Sequence, residues 1–237
     1  MGGSMVGIMK VLRSVVFFFA TVFLYLGLPL LGWGLGSLDE FFASLPRQGY
    51  ALIIVVFGLA VGLQAYSGTE GIRGKKGEAE KLVFRQTIVR YVLEISLFVA
   101  LIFIPFFDRR GIGVFNDNNA LRWLGMVFCL LGYGLIFWSG VALGRQYSAD
   151  VTIQENHHLI TSSVYRFIRH PRYSGIMGIA LGISGLFRSW IGLIAGVFFL
   201  VLLLYRIKDE EATLHKEFGA EWEAYCTRSW RLIPYVF

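Results

Sequence analysis

Residues Tyr173–Tyr205, with the sequence YSGIMGIALGISGLFRSWIGLIAGVFFLVLLLY, contain two apolar runs that are separated only by Arg188-Ser189. At a rise of about 1.5 Å per residue, each run would form a helix of roughly 23–24 Å. So short a connection predicts a tight helical hairpin, whether or not both runs cross a membrane completely. After Tyr205 the chain therefore returns to the side that it left before Tyr173.

Four longer apolar segments precede the hairpin, so the sequence predicts an all-α, polytopic transmembrane helical bundle of about six spans. Of the 237 residues, 56% are hydrophobic and 16% are charged, whereas a soluble domain carries roughly 25% charged residues. This composition excludes a soluble or a disordered chain. Each span must be helical, because lipid cannot satisfy open backbone groups. The predicted spans are Ser14–Gly36, Tyr50–Tyr66, Thr87–Phe107, Leu121–Leu143, Tyr173–Phe187 and Trp190–Tyr205.

The distribution of lysine and arginine predicts that both termini lie in the cytoplasm. In that orientation sixteen of these residues lie on the cytoplasmic side and five on the other, which agrees with the positive-inside rule. The same rule accounts for the net charge of +6, so we expect a lipid bilayer as the partner and no nucleic acid. The membrane would be the endoplasmic reticulum of a eukaryote or the inner membrane of a bacterium.

Neither the cysteines nor the histidines form a pattern that indicates a disulfide or a metal site. Cys129 lies in an apolar run and Cys226 in a polar tail, so we expect both to be free thiols. The spacing of His157, His158 and His170 matches no zinc motif, and no cysteine or carboxylate cluster accompanies them. We therefore expect no metal.

Glycines four residues apart place small residues on one face of several predicted helices. This spacing predicts close packing between the helices. The pairs are Gly58/Gly62, Gly140/Gly144, Gly178/Gly182 and Gly192/Gly196.

Polar residues are concentrated in two stretches, Gly144–Tyr173 and Arg206–Tyr225, which the hairpin brings to the same cytoplasmic side. In the first stretch, Pro171 suits the first turn of a helix, where its missing N–H costs nothing. The dipole and free N–H groups of that turn favour an anion, and Arg169 and His170 lie beside it. This end of the hairpin is therefore suited to bind a ligand carboxylate.

The second stretch begins where the last span ends, and there Arg206 and Glu210 are four residues apart on one helix face. Three interpretations remain open. The pair belongs to a ligand site, or it is an ordinary surface ion pair with Asp209 and Glu211 solvated, or Arg206 is a snorkelling anchor at the membrane boundary. Apolar residues at helical spacing over Glu210–Arg231 predict a cytoplasmic C-terminal helix.

Roughly the last 95 residues contain short motifs in a specific order and spacing, namely HHLITSSVY at 157–165, RHPRYSG at 169–175, Arg206 with Glu210-Glu211, Phe218-Gly219, Tyr225 and Ile233-Pro234. Through these motifs the chain resembles the isoprenylcysteine carboxyl methyltransferase family, which usually has glycine at the position of Ser163. The first 140 or so residues resemble that family only in being membrane spans.

The resemblance implies an integral membrane enzyme that moves a methyl group from S-adenosylmethionine to a lipophilic acceptor. It implies one domain over residues 1–237, with four spans in 14–143 and a cofactor-binding, catalytic region in 144–237. It implies that Arg206 faces the acceptor and that Arg206 and Arg169 act in catalysis. The residues that it implies contact the cofactor are Gln154, His157, His158, Leu159, Ile160, Tyr165, His170, Pro171, Arg172, Tyr173 and Glu210.

The chemistry of S-adenosylmethionine agrees with these roles. The helix start at Pro171, with the cations beside it, suits the carboxylate, and Glu210 suits the ammonium or the ribose diol. Tyr165 or Tyr173 can offer a ring face or an oxygen to the sulfonium. A carboxylate acceptor is already a nucleophile and needs no general base, and Arg206 can orient it.

The acceptor stays open between a prenylated cysteine, which we favour, a lipid and another small hydrophobic molecule. Alternative functions are methylation of a phospholipid amine or a small thiol, a reductase related to the sterol reductases, and a non-enzymatic membrane scaffold or transporter. An amine or a thiol would give Arg206 less reason to be essential, and NADPH binding would identify a reductase. The scarcity of ionisable residues within the spans argues against a transporter.

Overall fold

The computed structural model describes residues 2–67, 80–116, 119–144 and 158–236, and it confirms the predicted all-α architecture. Regular structure in these ranges is helical, and extended backbone pairs only at two isolated bridges. Numbered along the chain, the helices of these ranges are α1 (Gly2–Val22), α2 (Leu28–Trp33), α3 (Leu38–Phe42), α4 (Leu45–Ser67), α5 (Glu80–Arg110), α6 (Asn119–Leu143), α7 (Pro171–Leu186), α8 (Trp190–Phe218) and α9 (Ala220–Cys226).

Five helices of the described ranges are long and apolar enough to cross a membrane, so the chain is an integral membrane protein. The first comprises α1 and α2, because the wide π-helical turn Phe23–Gly27 joins them into one apolar run over Val6–Trp33. The other four are α4, α5, α6 and α8. α7 has 16 residues. At about 24 Å it is shorter than the roughly 30 Å hydrocarbon core of a bilayer.

The predicted hairpin consists of α7 and α8, which residues 187–189 join. Arg188 adopts a φ of 51° in this turn, and the hydroxyl of Ser189 caps α8 by accepting the N–H of Gly192 at 3.0 Å. α8 does not end where the predicted span ends but continues to Phe218. The charged residues that follow the apolar run therefore lie on the same rigid helix.

The predicted tail helix over Glu210–Arg231 is divided in the structure. Gly219, with a φ of 48°, ends α8 after Phe218, and α9 begins at the next residue. α9 is short, and its Trp222 and Tyr225 are buried. The tail therefore folds back onto the base of the hairpin instead of extending as one helix.

α7 is held against α6 by direct contact between the two backbones. A Cβ atom on Gly125 of α6 would lie 2.2 Å from the backbone nitrogen of Leu186, and one on Gly132 would lie 2.7 Å from the carbonyl oxygen of Gly175. A Cβ atom on Gly182 of α7 would lie 2.6 Å from the backbone nitrogen of the facing α6 helix at Cys129. This contact fixes where the first turn of α7 lies.

Two of the other predicted glycine pairs have different outcomes. Gly58 and Gly62 of α4 approach α1, because Cβ atoms there would lie 3.0 Å from the Val22 side chain and 3.0 Å from the Ser14 carbonyl. A Cβ atom on Gly140 would lie 3.8 Å from the Gln64 amide nitrogen, which is ordinary contact, and one on Gly144 would have no neighbour within 4 Å in the described ranges, so this pair does not make the close approach that was predicted.

Where the hairpin turns, one buried carboxylate joins several parts of the bundle. Asp108 of α5, whose side chain is 0% exposed, accepts hydrogen bonds from Arg122 of α6 at 2.9 Å and from Arg188 at 2.7 Å. Arg47 of α4 lies 3.8 Å from the same carboxylate. This ionic cluster lies at the opposite end of the hairpin from the two polar stretches.

α5 packs along α8 in the antiparallel direction. Ile104, near the end of α5, would lie 3.1 Å from a Cβ atom on Gly192 near the start of α8. Gln86, near the start of α5, donates a hydrogen bond to Asp209 in the second half of α8. α8 therefore contacts both α5 and α7. The start of α5 and the start of α7 both lie beside the second half of α8, at the base of the hairpin.

Candidate functional site

Three consecutive acidic residues of α8 contact three different parts of the protein, because successive side chains on a helix point about 100° apart. Asp209 accepts a hydrogen bond from Gln86 of α5, and Glu210 accepts one from Tyr173 of α7 at 2.8 Å. Glu211 binds the segment before α7 and the C-terminal tail. The interpretation in which Asp209 and Glu211 are simply solvated is therefore wrong.

Glu211 is the anion of a cluster that the sequence analysis did not identify. Its side chain is 14% exposed and accepts hydrogen bonds from Arg169 at 3.2 Å and from Arg231 at 3.0 Å and 2.7 Å. Nε2 of His170 lies 3.3 Å from the same carboxylate. The cluster joins α8, the segment before α7 and the tail. The only signal in the sequence was the second carboxylate of Glu210-Glu211.

The hydroxyl of Tyr173 connects Arg206 with Glu210. It donates to Oε2 of Glu210 over 2.8 Å and accepts from Nε of Arg206 over 2.9 Å. Arg206 is 7% exposed. The interpretations of Arg206 as a snorkelling anchor or as part of a solvated surface pair are therefore wrong, because its guanidinium is buried and bonded within the protein.

His170 lies at the predicted helix start, and Pro171 is the first residue of α7 as predicted. The imidazole is 5% exposed, is stacked on Tyr173 with 5.6 Å between the ring centroids, and places Nδ1 4.0 Å from Glu210. The N–H groups of Tyr173 and Ser174 donate to the His170 carbonyl at 3.0 Å and 3.1 Å. The turn therefore offers fewer free N–H donors than predicted, although its dipole points at the same place.

Arg169 fastens the tail to this segment. Its side chain donates to the carbonyl oxygens of Cys226 and Ser229 as well as to Glu211. Its backbone N–H donates to the Trp230 carbonyl at 2.7 Å, within the bridge that pairs the segment before α7 with the tail. The structure thus places Arg169 beneath the site, in contact with the tail.

Two further hydrogen bonds hold the tail across the base of the hairpin. The Tyr225 hydroxyl donates to the Tyr165 carbonyl at 2.6 Å, and the Ser174 hydroxyl donates to the Leu232 carbonyl at 2.6 Å. We call the segment from Tyr225 to Leu232 the tail clamp. It contacts the residues on both sides of His170.

Tyr165 belongs to the same cluster of side chains. It is 8% exposed, and burial and the nearby Glu210 carboxylate raise its pKa, which the charge of Arg172 partly offsets. Its hydroxyl is therefore neutral beside the acidic group. Arg172 follows Pro171 in the first turn of α7 and is half-buried.

The remaining predicted cofactor residues lie before this turn. Leu159 and Ile160 are half-buried in the extended segment that leads to Tyr165, and His158 is exposed. Gln154 and His157 lie outside the described residues. The structure thus brings together Tyr165, His170–Tyr173, Arg206 and Glu210, with the segment 158–160 next to them in the chain.

The geometry fits a ligand that carries a cation beside polar groups. Among the described residues, Oε1 of Glu210 has no hydrogen-bond partner, and the side chain is 30% exposed. The stacked rings of His170 and Tyr173 lie beside it. A partly open carboxylate next to aromatic faces is a suitable environment for an ammonium or a sulfonium.

Residues 123–216 match the model of the family described as the isoprenylcysteine carboxyl methyltransferase family. The chain is 32% identical over 121 residues to a probable protein-S-isoprenylcysteine O-methyltransferase of Oryza sativa subsp. indica. That alignment covers 49% of this chain and 62% of the rice protein, so the chain spans about three fifths of that relative's length.

Two other similarities are more distant. The chain is 34% identical over 83 residues to a Delta(14)-sterol reductase of Mus musculus, which covers 33% of this chain and 20% of that protein. A solved structure of the eukaryotic intramembrane Ras methyltransferase aligns over 98% of this chain and 96% of that chain, with 18% identity and a TM-score of 0.48.

The family match contains every described residue around the Tyr173 hydroxyl, from Tyr165 at one end to Glu210 at the other. Over residues 123–216, this chain is similar to the isoprenylcysteine carboxyl methyltransferase family.

Proposed function

We propose that this chain is an S-adenosylmethionine-dependent methyltransferase of the membrane that esterifies the carboxylate of a lipophilic acceptor, with a prenylated cysteine favoured. The observation that carries the proposal is the Tyr173 hydroxyl, which joins Glu210 to Arg206. Glu210 suits the donor and Arg206 suits a carboxylate acceptor, so the shared hydroxyl would place the two substrates side by side. Similarity to the family over residues 123–216 supports methyl transfer as the reaction.

The donor side of the site consists of an acidic group and aromatic rings. S-adenosylmethionine supplies an electrophilic methyl group, and the bonding electron pair stays on its sulfur when a nucleophile displaces that sulfur in line. Glu210 would bind the ammonium or the ribose diol through its open Oε1. His170 and Tyr173 would flank the ligand, and the segment 158–160 with Arg172 would complete the pocket.

The acceptor side consists of Arg206, which is buried and keeps its guanidinium in place through the Tyr173 hydroxyl. A guanidinium suits the planar geometry of a carboxylate. The acceptor carboxylate forms the new oxygen–carbon bond without losing a proton, so this site needs no general base. Alignment and exclusion of water supply most of the rate, and a buried arginine serves both.

Arg169, which we predicted to act in catalysis, would act as a positioning residue. Its bonds to Glu211 and to the Cys226 and Ser229 carbonyls support a role in holding the tail clamp over the donor pocket. A substitution at Arg169 would then weaken donor binding, and it would leave the pH dependence of turnover nearly unchanged.

We further propose that the acceptor enters from the bilayer and that the donor enters from the cytoplasm. α8 exposes apolar side chains in the turns before Arg206, with Val201 59% and Tyr205 39% exposed. The lysine and arginine distribution supports a cytoplasmic position for both termini. The host would decide between the endoplasmic reticulum and a bacterial inner membrane.

The proposal is tested with the full chain purified in detergent. We expect calorimetry to detect S-adenosylhomocysteine and to show binding weakened at least tenfold in Glu210→Gln, because one charge-assisted bond is worth roughly 1.5–3 kcal/mol. Glu217→Gln, an exposed carboxylate further along α8, is the matched control. No binding by the unaltered chain, or equal binding by both variants, would overturn the assignment.

The acceptor class is tested by transfer of a radiolabelled methyl group to a farnesylcysteine analogue, a phospholipid amine and a hydrophobic thiol. We expect the carboxylate to be methylated and Arg206→Gln to abolish its turnover while donor binding persists. Methylation of the amine or thiol by both the unaltered chain and Arg206→Gln would favour the alternative acceptors. The sterol reductase similarity is tested in the same preparation, since NADPH binding without S-adenosylhomocysteine binding would favour a reductase.

A further inference from the structure

Gln86 of α5 carries a buried polar atom that no described residue satisfies. The residue is 4% exposed, and its Oε1 has no hydrogen-bond partner in the described ranges. A buried acceptor without a donor costs free energy, so such an atom in a native protein is commonly a site for a ligand or a water. Gln86 was not among the residues that the sequence indicated.

The contact with Asp209 decides which way the amide of Gln86 faces. Nε2 of Gln86 donates to Oδ2 of Asp209. A carboxylate can only accept, so the amide nitrogen must face Asp209 and the amide oxygen must point elsewhere. The oxygen therefore stays available to a group that donates a hydrogen bond.

Gln86 lies close to the proposed acceptor position. Asp209 and Arg206 are three residues apart on α8, which places them on neighbouring positions of one face, about 4.5 Å apart along the axis. Gln86 approaches this face from α5, whereas Tyr173 approaches it from α7. A molecule whose carboxylate is held by Arg206 would thus have Gln86 on the side away from the donor pocket.

We propose that Oε1 of Gln86 accepts a hydrogen bond from an N–H group of the methyl acceptor, on the carbon that also carries the carboxyl group. This inference rests on the proposed function and assigns to Gln86 the recognition of the amide N–H next to the acceptor carboxylate. In such an acceptor the carboxylate meets Arg206 and the amide N–H meets Gln86. Two contacts from different helices then fix the carboxylate for in-line attack.

Two matched acceptors test the inference in the unaltered chain. One is N-acetyl-S-farnesylcysteine, and the other replaces its amide N–H by an ester oxygen and is otherwise the same molecule. We expect kcat/KM to favour the amide by roughly tenfold or more, because the ester leaves Oε1 without a donor. Equal values for the two acceptors would overturn the inference, since a water would then satisfy Gln86. If neither acceptor were methylated, the proposed function itself would fail.

Variants test whether Gln86 is the residue responsible. In Gln86→Leu we expect the preference for the amide to fall to within about twofold of unity, with donor affinity unchanged. In Asp209→Asn the amide of residue 86 is free to turn over, because asparagine both donates and accepts, so the preference falls there too. Gln48→Leu, which removes an amide that bonds Phe42 elsewhere in the bundle, should keep the preference. A preference retained in Gln86→Leu would overturn the assignment.

Discussion

Nε of Arg206 lies 2.9 Å from the hydroxyl of Tyr173, which joins the two helices of the hairpin at its base, the end opposite the turn at Arg188. The same hydroxyl donates to Glu210, so a single oxygen couples a buried cation to a partly open anion. Each of these groups is proposed to bind a different substrate. Under the proposed function, the relative position of donor and acceptor would therefore depend on one side chain of α7.

Replacing Tyr173 by phenylalanine keeps the ring beside His170 and removes only the shared hydroxyl. We expect kcat to fall by roughly tenfold to a hundredfold, since a hydrogen bond to a charged group is worth about 1.5–3 kcal/mol. Donor affinity should change less, because Glu210 and the stacked rings remain. Steady-state kinetics and calorimetry on the same preparation measure the two effects. Tyr66→Phe, at an exposed position of α4, is the control, and an unchanged kcat in Tyr173→Phe would contradict the coupling.

Replacing Glu211 by glutamine leaves Arg169 and Arg231 without their shared anion. Breaking a buried ion pair costs about 3–5 kcal/mol, and we expect about 2–3 kcal/mol here because the cluster is partly exposed. Thermal unfolding in detergent should show a lower Tm, and S-adenosylhomocysteine should raise the Tm less than in the unaltered chain. Glu217→Gln, on the same helix and exposed, should leave both values unchanged. Equal Tm values for the two variants would show that the tail clamp does not depend on Glu211.

The contact between α6 and α7 is tested by two alanine substitutions on α6. A Cβ atom at Gly132 would lie 2.7 Å from a backbone oxygen of α7, whereas one at Gly134 would have no neighbour within 4 Å. Alanine also favours a helix over glycine by about 1 kcal/mol. We therefore expect Gly132→Ala to lower the Tm and to weaken donor binding, and Gly134→Ala to keep or raise the Tm. The reverse order in thermal unfolding would show that the helices are not in backbone contact.

The backbone conformation of Ser163 predicts which of two substitutions at this position gives the more stable protein. Its φ is 57°, in the left-handed region that glycine adopts freely, and the family usually has glycine there. Its hydroxyl also accepts a hydrogen bond from Trp138 at 2.9 Å. Both Ser163→Ala and Ser163→Gly lose that bond, so their difference isolates the backbone.

We expect Ser163→Gly to be more stable than Ser163→Ala by about 1 kcal/mol, because the left-handed conformation costs a non-glycine residue about 1–2 kcal/mol. At an ordinary helix or strand position the alanine variant would be the more stable one. Chemical or thermal unfolding of the two variants in one detergent measures the sign. A more stable alanine variant would place residue 163 outside the left-handed region.

The features that the sequence predicted are those that depend on neighbours in the chain. The hairpin followed from the two-residue connection Arg188-Ser189, and the start of α7 followed from Pro171. The meeting of the two polar stretches followed from the hairpin itself. Each of these conclusions needs only local geometry and the length of an apolar run.

The features that the sequence did not predict depend on which face of a helix meets which neighbour. Glu210 and Glu211 are adjacent, yet one binds Tyr173 and the other binds Arg169 and Arg231. Gln86 meets Asp209 only because α5 and α8 pack antiparallel in one register. The hydropathy pattern also predicted that the last span ends at Tyr205. A helix, however, continues for as long as its backbone hydrogen bonds continue, and α8 ends at Phe218. The charged residues after Tyr205 are compatible with that bonding, so α8 continues.

The tail clamp has a consequence for biosynthesis. The backbone N–H groups of Arg169 and His170 donate to the carbonyls of Trp230 and Arg231, which the ribosome adds about sixty residues later. The membrane helices can all be inserted by then, while the proposed donor site still lacks the tail clamp. Under the proposed function, a nascent chain would be anchored in lipid well before it could bind a methyl donor, and a stop codon shortly before Trp230 is expected to give an inserted protein that binds no donor.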